Sequence, residues 1–468
     1  MAALATLFTS LITKLDATHS EAGFIGDGTK YFPNFVKSRS GVERHFTSDS
    51  QVALQDFAEA LYQSREQYRT VARFEEFLKS VRSCVADLHA ENVFADSMLD
   101  DKDKLRLYEG ELSERVLGLP RKYTHVFPAH TLRLEQLGEL DFGPVKILSA
   151  ADWLSKVDYP AEAKERLGLP ADWKTTVLSR LSRATDVEEQ MPWAAEDILN
   201  VLRGANAVVS VDVEGRELAF SREIARIAAR TALDGITLLA RGGRKLFLQQ
   251  ALRDERLPPV DSHSVVVTDG HLWAPGLRLG DRFNHIDPKR IAAVLSEQSE
   301  ELAVLKQVVA ALVDPSTNSH PNLAARWATA LDWFAEGCRE TSDAVAVTKL
   351  ASALDVLACG GKNAGIQELL SHLTGMAPSD VVVPRRGLTL MAVVSKVYDG
   401  GRSKLLHGTH VDRLKQFSAE RLHAEGLGVA ALTELLIRLP HYTGPDSDKA
   451  FRNIGPAPAA SDAPATEA

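Results

Sequence analysis

The sequence predicts a mainly α-helical fold with α+β portions, and three observations lead to this prediction. Apolar residues recur at helical spacing through most of the chain, as in the stretch 68–90. Runs rich in β-branched residues, which are typical of strands, are confined to 121–160 and 206–285. Several helical patterns separated by short connections follow one another between residues 320 and 440, and this succession predicts a four-helix bundle.

Residues 1–205 are predicted to form a mainly helical N-terminal region with a few strands. Apolar residues at helical spacing predict one helix over 51–66 and a second over about 68–90. The segments THVFPAHTLRL and DFGPVKIL, which lie between 121 and 160, have the composition of strands. A helical pattern broken by prolines then leads to the end of this region.

Residues 206–300 are predicted to form a small α+β module and a connecting helix. The run AVVSVDV reads as a strand, and FSREIARIAARTALDGITLLA places its apolar residues along one helical stripe. Asp269 and Gly270 stand between two apolar runs and predict a hairpin with a tight primed turn. The glycine pair at 242–243 lacks the order of a phosphate loop and is interpreted as a helix C-cap. A long helix is expected over 288–313.

Residues 301–443 are predicted to form the C-terminal four-helix bundle. Its helices are expected at about 323–338, 343–358, 387–397 and 411–440, with a shorter helix in the loop before the third. Gly426 and Gly428 predict a kink or a break in the last helix. Residues 444–468 are rich in Pro, Ala, Ser and Asp without apolar periodicity, so a disordered tail is expected there.

The overall charge and one local charge are of opposite sign. The chain of 468 residues has a formal net charge of -9, which is unfavourable for binding nucleic acid because nonspecific affinity comes from neutralised phosphates. Between Arg385 and Lys415, however, seven basic residues stand against two acidic ones and leave a local charge of +5. This basic stretch is either a binding surface or simply the solvated faces of two helices.

The apolar runs, the first residues and the cysteines indicate the compartment of the protein. No apolar run approaches the length of a membrane span, and the first residues lack the pattern of a signal peptide, so a cytoplasmic protein without membrane contact is expected. Its three cysteines, Cys84, Cys338 and Cys359, are far apart and odd in number. They predict buried thiols rather than a disulfide framework or a zinc site.

The stretch YDGGRSKLLHGTH, from Tyr398 to His410, gives the sharpest chemical signal. Arg402 offers a planar fork of donors suited to phosphate oxygens, and His407 belongs to the residue type that exchanges protons near neutral pH. Together they suit phosphodiester chemistry. On an ideal helix the two side chains would point about 140° apart. Either the arginine wraps around the helix start, or a second subunit completes the site.

The run RSKLLHG in this helical setting resembles the Apea-like branch of the HEPN domains. KLASALDVLACGG resembles the second helix of that branch, with Asp355 where a glutamate is more usual, and Gly400 and Gly401 replace residues that are often helical there. FGPVKILSAADW and VVSVDVEGRELA resemble segments upstream of the domain. The resemblance implies an HEPN-like four-helix bundle and, in catalytically competent members, a metal-independent endoribonuclease that acts on RNA in host defence or stress response.

The same resemblance assigns roles to individual residues. His407 would act as general acid or base on the ribose 2′-hydroxyl or on the leaving 5′-oxygen, and Arg402 would stabilise the charge on the phosphorane oxygens. Ser403 would orient His407 or a phosphate, and Lys404 and His410 would supply secondary contacts. No metal or other cofactor is expected. The resemblance also implies a homodimer with a composite cleft between the two bundles.

Alternatives remain open from the residues alone. Arg402 would be structural if it paired with Asp399 or Asp412 while His407 packed at a helix end. The bundle would then be a non-catalytic module that binds RNA, nucleotides or a partner protein, or an effector governed by the upstream α+β portion and a regulatory protein. The catalytic interpretation predicts that Arg402 and His407 lie beside the junction of the third and fourth helices and are partly exposed.

Overall fold

The computed structural model describes residues 2–19, 34–182, 191–255, 266–273, 287–409 and 414–456. Within them the chain is mainly α-helical with α+β portions, as the sequence predicts. It forms two compact units. The first consists of Met1–Tyr123 and Asp212–Ile224, and the second of Thr124–Val211 and Ala225–Ala468.

The first unit is built mainly from helices around an aromatic core. Its elements include α1 (Ala2–His19), β1 (Asn34–Lys37), β2 (Glu43–Phe46), α2 (Ser48–Ser64), α3 (Glu66–Val71), α4 (Phe74–Ala90) and α5 (Asp101–Leu117). The ring of Phe8 lies 5.4 Å from that of Phe57 and 5.3 Å from that of Tyr108, and all three are buried. Such tilted aromatic pairs add to the free energy of burial. The antiparallel hairpin of β1 and β2 was not predicted.

The single helix predicted over 68–90 is wrong, since α3 and α4 are separated at Ala72 and Arg73. Both residues have extended backbones. Arg73 donates from Nε to Glu223 at 2.7 Å, and its guanidinium lies 4.3 Å from the ring centroid of Phe220. These long-range contacts outweigh the local helical pattern, as tertiary interactions often outweigh propensity.

The second unit contains a five-stranded sheet with the strand order β4-β5-β6-β3-β7. The strands are β3 (Arg121–His130), β4 (Leu140–Phe142), β5 (Val145–Leu148), β6 (Ala207–Arg216) and β7 (Ala251–Leu252). β5 and β6 are antiparallel, with Val145 opposite Val211 and Leu148 opposite Val208. The predicted strands are therefore confirmed, but the predicted domain boundary at residue 205 divides one sheet. The periodicity of a strand does not show which other strand it pairs with. The predicted boundary is therefore misplaced, because β5 and β6 are about sixty residues apart in the sequence.

Helices cover the stretches between and after these strands. They are α6 (Ala150–Lys156), α7 (Ala161–Arg166), α8 (Trp173–Leu181), α9 (Trp193–Leu202), α10 (Leu218–Leu239), α11 (Arg244–Phe247), α12 (Pro288–Glu297) and α13 (Ser299–Val313). The long helix predicted over 288–313 is thus two helices, because Gln298 leaves the helical region with φ -106° and ψ 28°. A separate hairpin pairs β8 (Val266–Thr268) with β9 (His271–Trp273). Its turn residues Asp269 and Gly270 have φ 51° and 81°, which confirms the primed turn.

The C-terminal helices follow the predicted order. They are α14 (Pro321–Arg339), α15 (Asp343–Leu357), α16 (Lys362–Thr374), α17 (Leu390–Val397), α18 (Lys404–Leu406) and α19 (Ser418–Arg438), with the short strands β10 (Val381–Val383) and β11 (Leu388–Thr389) before α17. Trp327 is fully buried, and its indole N–H donates to the carbonyl of Leu432 at 2.9 Å. The predicted break at Gly426 and Gly428 is wrong, since α19 is continuous through both.

The segment that follows α19 is folded for part of its length. The carboxylate of Asp446 accepts the backbone N–H groups of Asn322 and Leu323 at the start of α14, at 2.9 and 3.0 Å. Phe451 and Ile454 are fully buried. The disordered tail predicted from residue 444 is therefore wrong as far as residue 456, because two apolar side chains without periodicity are enough to anchor a short segment. The rest of that prediction lies outside the described residues.

Among the described helices, none is by itself long and apolar enough to cross a membrane. Of the helix pairs that the structure describes, α15 and α16 together reach that length and composition, and they are bent by 67° at the break between them. Both carry fully buried residues in this fold, such as Leu354 and Leu369.

Candidate functional site

The predicted site lies on a turn of π-helix. Residues Tyr398–Ser403 continue α17 with π-helical hydrogen bonding before α18 begins at Lys404. A Cβ atom on Gly401 would collide with the side chain of Val347, so only glycine lets this turn lie against α15. Single turns of π-helix inside α-helices occur frequently at functional sites. Gly400 and Gly401 are thus part of this irregular turn.

Arg402 is fixed by three side chains. Its Nε donates to the Ser352 hydroxyl at 3.0 Å, one terminal nitrogen donates to the Tyr398 hydroxyl at 2.8 Å, and the other lies 3.2 Å from Asp355. The guanidinium also lies 5.1 Å from the centroid of the Tyr398 ring. Ser352 and Asp355 are three residues apart and share one face of α15. The arginine side chain remains 23% exposed.

These contacts replace the structural pairings that the sequence suggested for the arginine. Asp399 accepts hydrogen bonds from Asn363 and Ser395 instead of pairing with Arg402. The other suggested partner, Asp412, lies outside the described residues. Arg402 therefore has a carboxylate partner, but the partner is Asp355.

The polar groups around Arg402 are not fully satisfied. Oδ1 of Asp355 is buried and makes no hydrogen bond within the described part of the chain. Burial raises the pKa of Tyr398, the negative charge of Asp355 raises it further, and the charge of Arg402 opposes both. The tyrosine hydroxyl therefore keeps its proton at neutral pH while it accepts from Arg402. An unpaired buried carboxylate oxygen is rare in folded proteins and leaves an acceptor at the site.

His407 lies at the end of α18 and is exposed. Its backbone N–H donates to the carbonyl of Ser403 at 3.0 Å, which holds the main chain in place. Its imidazole makes no hydrogen bond or ion pair with any residue that the structure describes. Ser403 is partly exposed and Lys404 is exposed, whereas His410 lies outside the described residues. Arg402 and His407 thus follow α17 and precede α19, where the sequence analysis placed them.

Basic residues are exposed on this turn's neighbouring elements in the sequence, and we call them the basic surface. Five of the seven basic residues counted in the sequence are exposed: Arg385, Arg386, Lys396, Lys404 and Lys415. Burial lowers the pKa of His423 on α19, and the positive charges of Arg386 and Lys396 lower it further. The basic residues of the β10–β11 connection and of α17 therefore act on the same part of α19. Arg413 is outside the described residues.

Large apolar side chains are exposed on the same elements. They are Val345 on α15, Met391 on α17, Leu406 on α18, Leu414 before α19 and Leu422 on α19. Leu414 is 91% exposed and Leu422 is 67% exposed. Single exposed apolar residues are common, but several on the elements that form a site suggest a surface for another molecule. We call these five residues the apolar set.

Sequence reasoning missed Ser352 and Tyr398. Tyr398 stands four residues before Arg402, and Ser352 stands three before Asp355, so helical spacing contained a signal for both. The signal is weak because serine and tyrosine at such spacings are common. No group of three or more His, Cys, Asp or Glu side chains suited to a metal ion occurs among the described residues.

Comparison with known proteins gives no match to this chain, whether with family models, with curated proteins or with solved structures. The resemblance to HEPN domains is not tested by these comparisons and stays an expectation from the sequence. The geometry of Arg402 and His407 has to carry any functional conclusion, because a fold alone does not determine a function.

Proposed function

We propose that the C-terminal bundle is an HEPN-type, metal-independent endoribonuclease that acts on RNA through Arg402 and His407. One observation carries the proposal. An arginine anchored by three side chains is followed, five residues later, by an exposed histidine whose imidazole has no partner among the described residues. A fixed cation and an available proton carrier are the two groups that phosphodiester cleavage requires.

The remaining donors of Arg402 suit a phosphate. A guanidinium has five N–H groups, and three of them engage Ser352, Tyr398 and Asp355. Among the described residues, no group engages the second N–H on each terminal nitrogen, so two N–H groups are available to a ligand. Two N–H groups of one planar fork match two oxygens of a phosphate, and hydrogen bonds between charged partners are about twice as strong as neutral ones. The anchoring contacts keep this fork from rotating away.

His407 would move the protons. In the proposed step the ribose 2′-oxygen attacks the adjacent phosphorus, the P–O5′ bond breaks, and the products are a 2′,3′-cyclic phosphate and a free 5′-hydroxyl. His407 takes the proton of the 2′-hydroxyl or delivers a proton to the leaving 5′-oxygen, and water serves the other oxygen. The ribose hydroxyl is the nucleophile, so the step balances without an added reagent. Lys404 and the other exposed basic residues would hold the flanking phosphates.

The working form would be a homodimer through the bundle, with the apolar set at or beside the contact. A role in host defence or stress response follows from the same resemblance. A cytoplasmic location is the one expected from the sequence composition, and a regulatory protein partner is a further part of the proposal. The three cysteines, Cys84, Cys338 and Cys359, are free thiols, which agrees with a reducing compartment.

Cleavage of mixed RNA in the presence and absence of a chelator tests the proposal. We expect cutting that resists the chelator and disappears in His407→Ala. His441→Ala serves as the matched control, because His441 is another exposed histidine that follows α19. RNA left intact by the wild type, or cut equally by wild type and His407→Ala, would contradict the assignment.

One observation favours a non-catalytic module. Asp355 neutralises the charge of Arg402, and a paired guanidinium attracts phosphate less than a free one. In this second candidate the basic surface binds RNA or a nucleotide without cutting it. Salt-dependent RNA binding that is unchanged in His407→Ala, with no cleavage products, would favour it.

A further inference from the structure

A cavity of about 520 Å³ opens between α10, α14, α16 and α19 of the second unit. Its volume falls within the range of about 300–1,000 Å³ that small-molecule sites occupy. The walls are mostly apolar and include Leu238, Phe247, Phe334, Leu370 and Leu373. None of the residues that contact Arg402 lines this cavity, so the proposed nuclease site does not account for it.

The hydroxyl groups of the cavity wall are largely engaged by the protein itself. The hydroxyl of Thr237 donates to the carbonyl of Leu233 at 2.9 Å and accepts from the amide of Gln250 at 2.8 Å. The hydroxyl of Thr374 donates to the carbonyl of Leu370 at 2.7 Å. These groups have little capacity left for a ligand, since each hydroxyl has one proton to donate.

The acidic side chains at the cavity are also engaged. Glu425 forms an ion pair with Arg421 at 2.8 Å, and Glu434 forms one with Arg438 at 2.8 Å. Burial raises the pKa of the Cys338 thiol, so this third group stays neutral and behaves as an apolar wall atom. The cavity therefore offers a cationic ligand no free carboxylate among these residues.

Two arginines at the cavity are left with available donors. The guanidinium of Arg244 is exposed and has no hydrogen-bond or ion-pair partner within the described residues. The guanidinium of Arg241 makes one long hydrogen bond within the described residues, at 3.4 Å to the side-chain oxygen of Gln298. Gly243 between them has φ 65° and ψ -166°, a conformation open essentially to glycine alone, and this turn brings both arginines to one cavity. The uncommitted charge at the cavity is positive.

We propose that this cavity binds a small amphipathic organic anion from solution. Its apolar body would lie against the rings of Phe247 and Phe334, which contact each other in the cavity wall, and its carboxylate would face the guanidinium of Arg244, with Arg241 as a second donor. The anionic group would stay near the exposed arginines and so would not lose all its hydration, while the apolar body leaves water. An alcohol of the same length lacks the charge, and an alkylammonium ion meets the wrong sign.

Calorimetric titration of the full chain with decanoate, kept below its micelle concentration, tests this proposal. We expect decanoate to bind at least about tenfold more tightly than decanol or decylammonium, which is a difference of about 1.4 kcal/mol. Arg244→Glu should weaken decanoate at least about tenfold and leave decanol unchanged. Lys245→Glu is the matched control, because Lys245 is the exposed neighbour that does not line the cavity, and it should change decanoate binding by less than about twofold.

A variant that fills the cavity separates binding inside it from binding on the surface. Ala430 is exposed on α19 and lines the cavity, so Ala430→Trp places an indole there without displacing buried core atoms. Both decanoate and decanol should lose binding in this variant while its melting temperature stays close to that of the wild type. No binding of decanoate at millimolar concentration, equal binding of decanol, or unchanged binding by Arg244→Glu would each overturn the proposal.

Discussion

Arg402 is held in position before any ligand arrives. Its contacts come from Ser352 and Asp355 on α15 and from Tyr398 one turn earlier on its own helix. Holding a long flexible side chain by three partners removes most of the rotamer entropy that binding would otherwise cost. The residue is thus preorganised, and this also makes it part of the packing between α15 and the π-helical turn.

Arg402→Ala should therefore affect stability as well as cleavage. Removal of the guanidinium leaves the partly buried Asp355 without its ion-pair partner, which we expect to cost about 1–3 kcal/mol in the free energy of unfolding. Urea denaturation measures this cost. The double variant Arg402→Ala/Asp355→Ala should recover part of it, because the unpaired carboxylate is then gone. A loss of cleavage with unchanged stability in both variants would show that the ion pair contributes nothing to folding.

His19 makes the first unit sensitive to acid. Burial lowers the pKa of His19 to about 4, helped by the positive charges of His89 and Arg44, whereas an unfolded histidine titrates near 6.5. The unfolded chain therefore binds more protons between these two pH values, and stability falls as pH decreases from about 6.5 to about 4. Burial lowers the pKa of His89 too, which adds to the same trend.

The pH dependence is measured by urea denaturation between pH 7 and pH 4. His19→Gln should reduce the slope, because glutamine can accept the hydrogen bond that the backbone N–H of His45 donates at 3.1 Å and does not titrate. An unchanged slope in His19→Gln would assign the acid sensitivity to other groups.

At the scale of elements, α19 shows what glycine does in a packed helix. Gly428 faces Phe334, and a Cβ atom at this position would lie 2.6 Å from two ring carbons. Gly426, two residues earlier, is exposed, and a Cβ atom built on it would have no heavy atom within 4 Å. The two glycines have the same backbone and opposite surroundings.

These surroundings predict opposite effects of alanine. Gly428→Ala should destabilise the protein by about 1–3 kcal/mol, because overpacking forces the ring or the helix to move. Gly426→Ala should stabilise it by about 0.5–1 kcal/mol, because alanine has a higher helix propensity. Denaturation of both variants checks the pair. Equal effects of the two changes would mean that α19 does not approach Phe334 as described.

Elements that depend on local spacing can be predicted from the sequence, whereas features that depend on contacts between distant residues cannot. The helices of the bundle follow the apolar spacing of residues such as Trp327 and Leu331, and the Asp269-Gly270 turn follows from positive φ angles that these residues tolerate. The continuity of α19 cannot be predicted from the sequence, because a glycine that permits a close contact cannot be told there from a glycine that breaks a helix. The pairing of Arg402 with Ser352 also depends on a contact across fifty residues.

At the scale of the whole molecule, the question is how Arg402 and His407 act together. Within the described residues of one chain, no hydrogen bond joins their side chains. The guanidinium is directed to α15 by its partners, while the imidazole is exposed at the end of α18. The angle of about 140° expected on an ideal helix no longer describes the pair, because Arg402 belongs to a π-helical turn. The guanidinium and the imidazole make no contact with each other through the hydrogen bonds of the described residues, and a second copy of the chain would supply a further copy of each group to a shared site.

We therefore expect a homodimer in which the two bundles meet through the apolar set and share their basic surfaces. In a two-fold contact each copy presents the same patch, so Leu422 of one copy would lie near the apolar set of the other. Two local charges of +5 would then line one groove and attract RNA despite the net charge of -9. Light scattering measures the mass, and Leu422→Glu should shift it towards the monomer, with Leu107→Glu on α5 of the first unit as the control at another exposed leucine.

Mixing of two inactive variants then decides whether the site is shared. If Arg402 of one copy acts with His407 of the other, mixed dimers of Arg402→Ala and His407→Ala contain one intact pair, and up to about half of the molecules should regain cleavage after random exchange of subunits. If both residues act within one copy, each subunit in the mixture lacks one of them and no activity returns. A dimeric mass without recovered cleavage would assign the contact to assembly alone, whereas a monomeric mass of an active wild-type protein would place the whole site in a single chain.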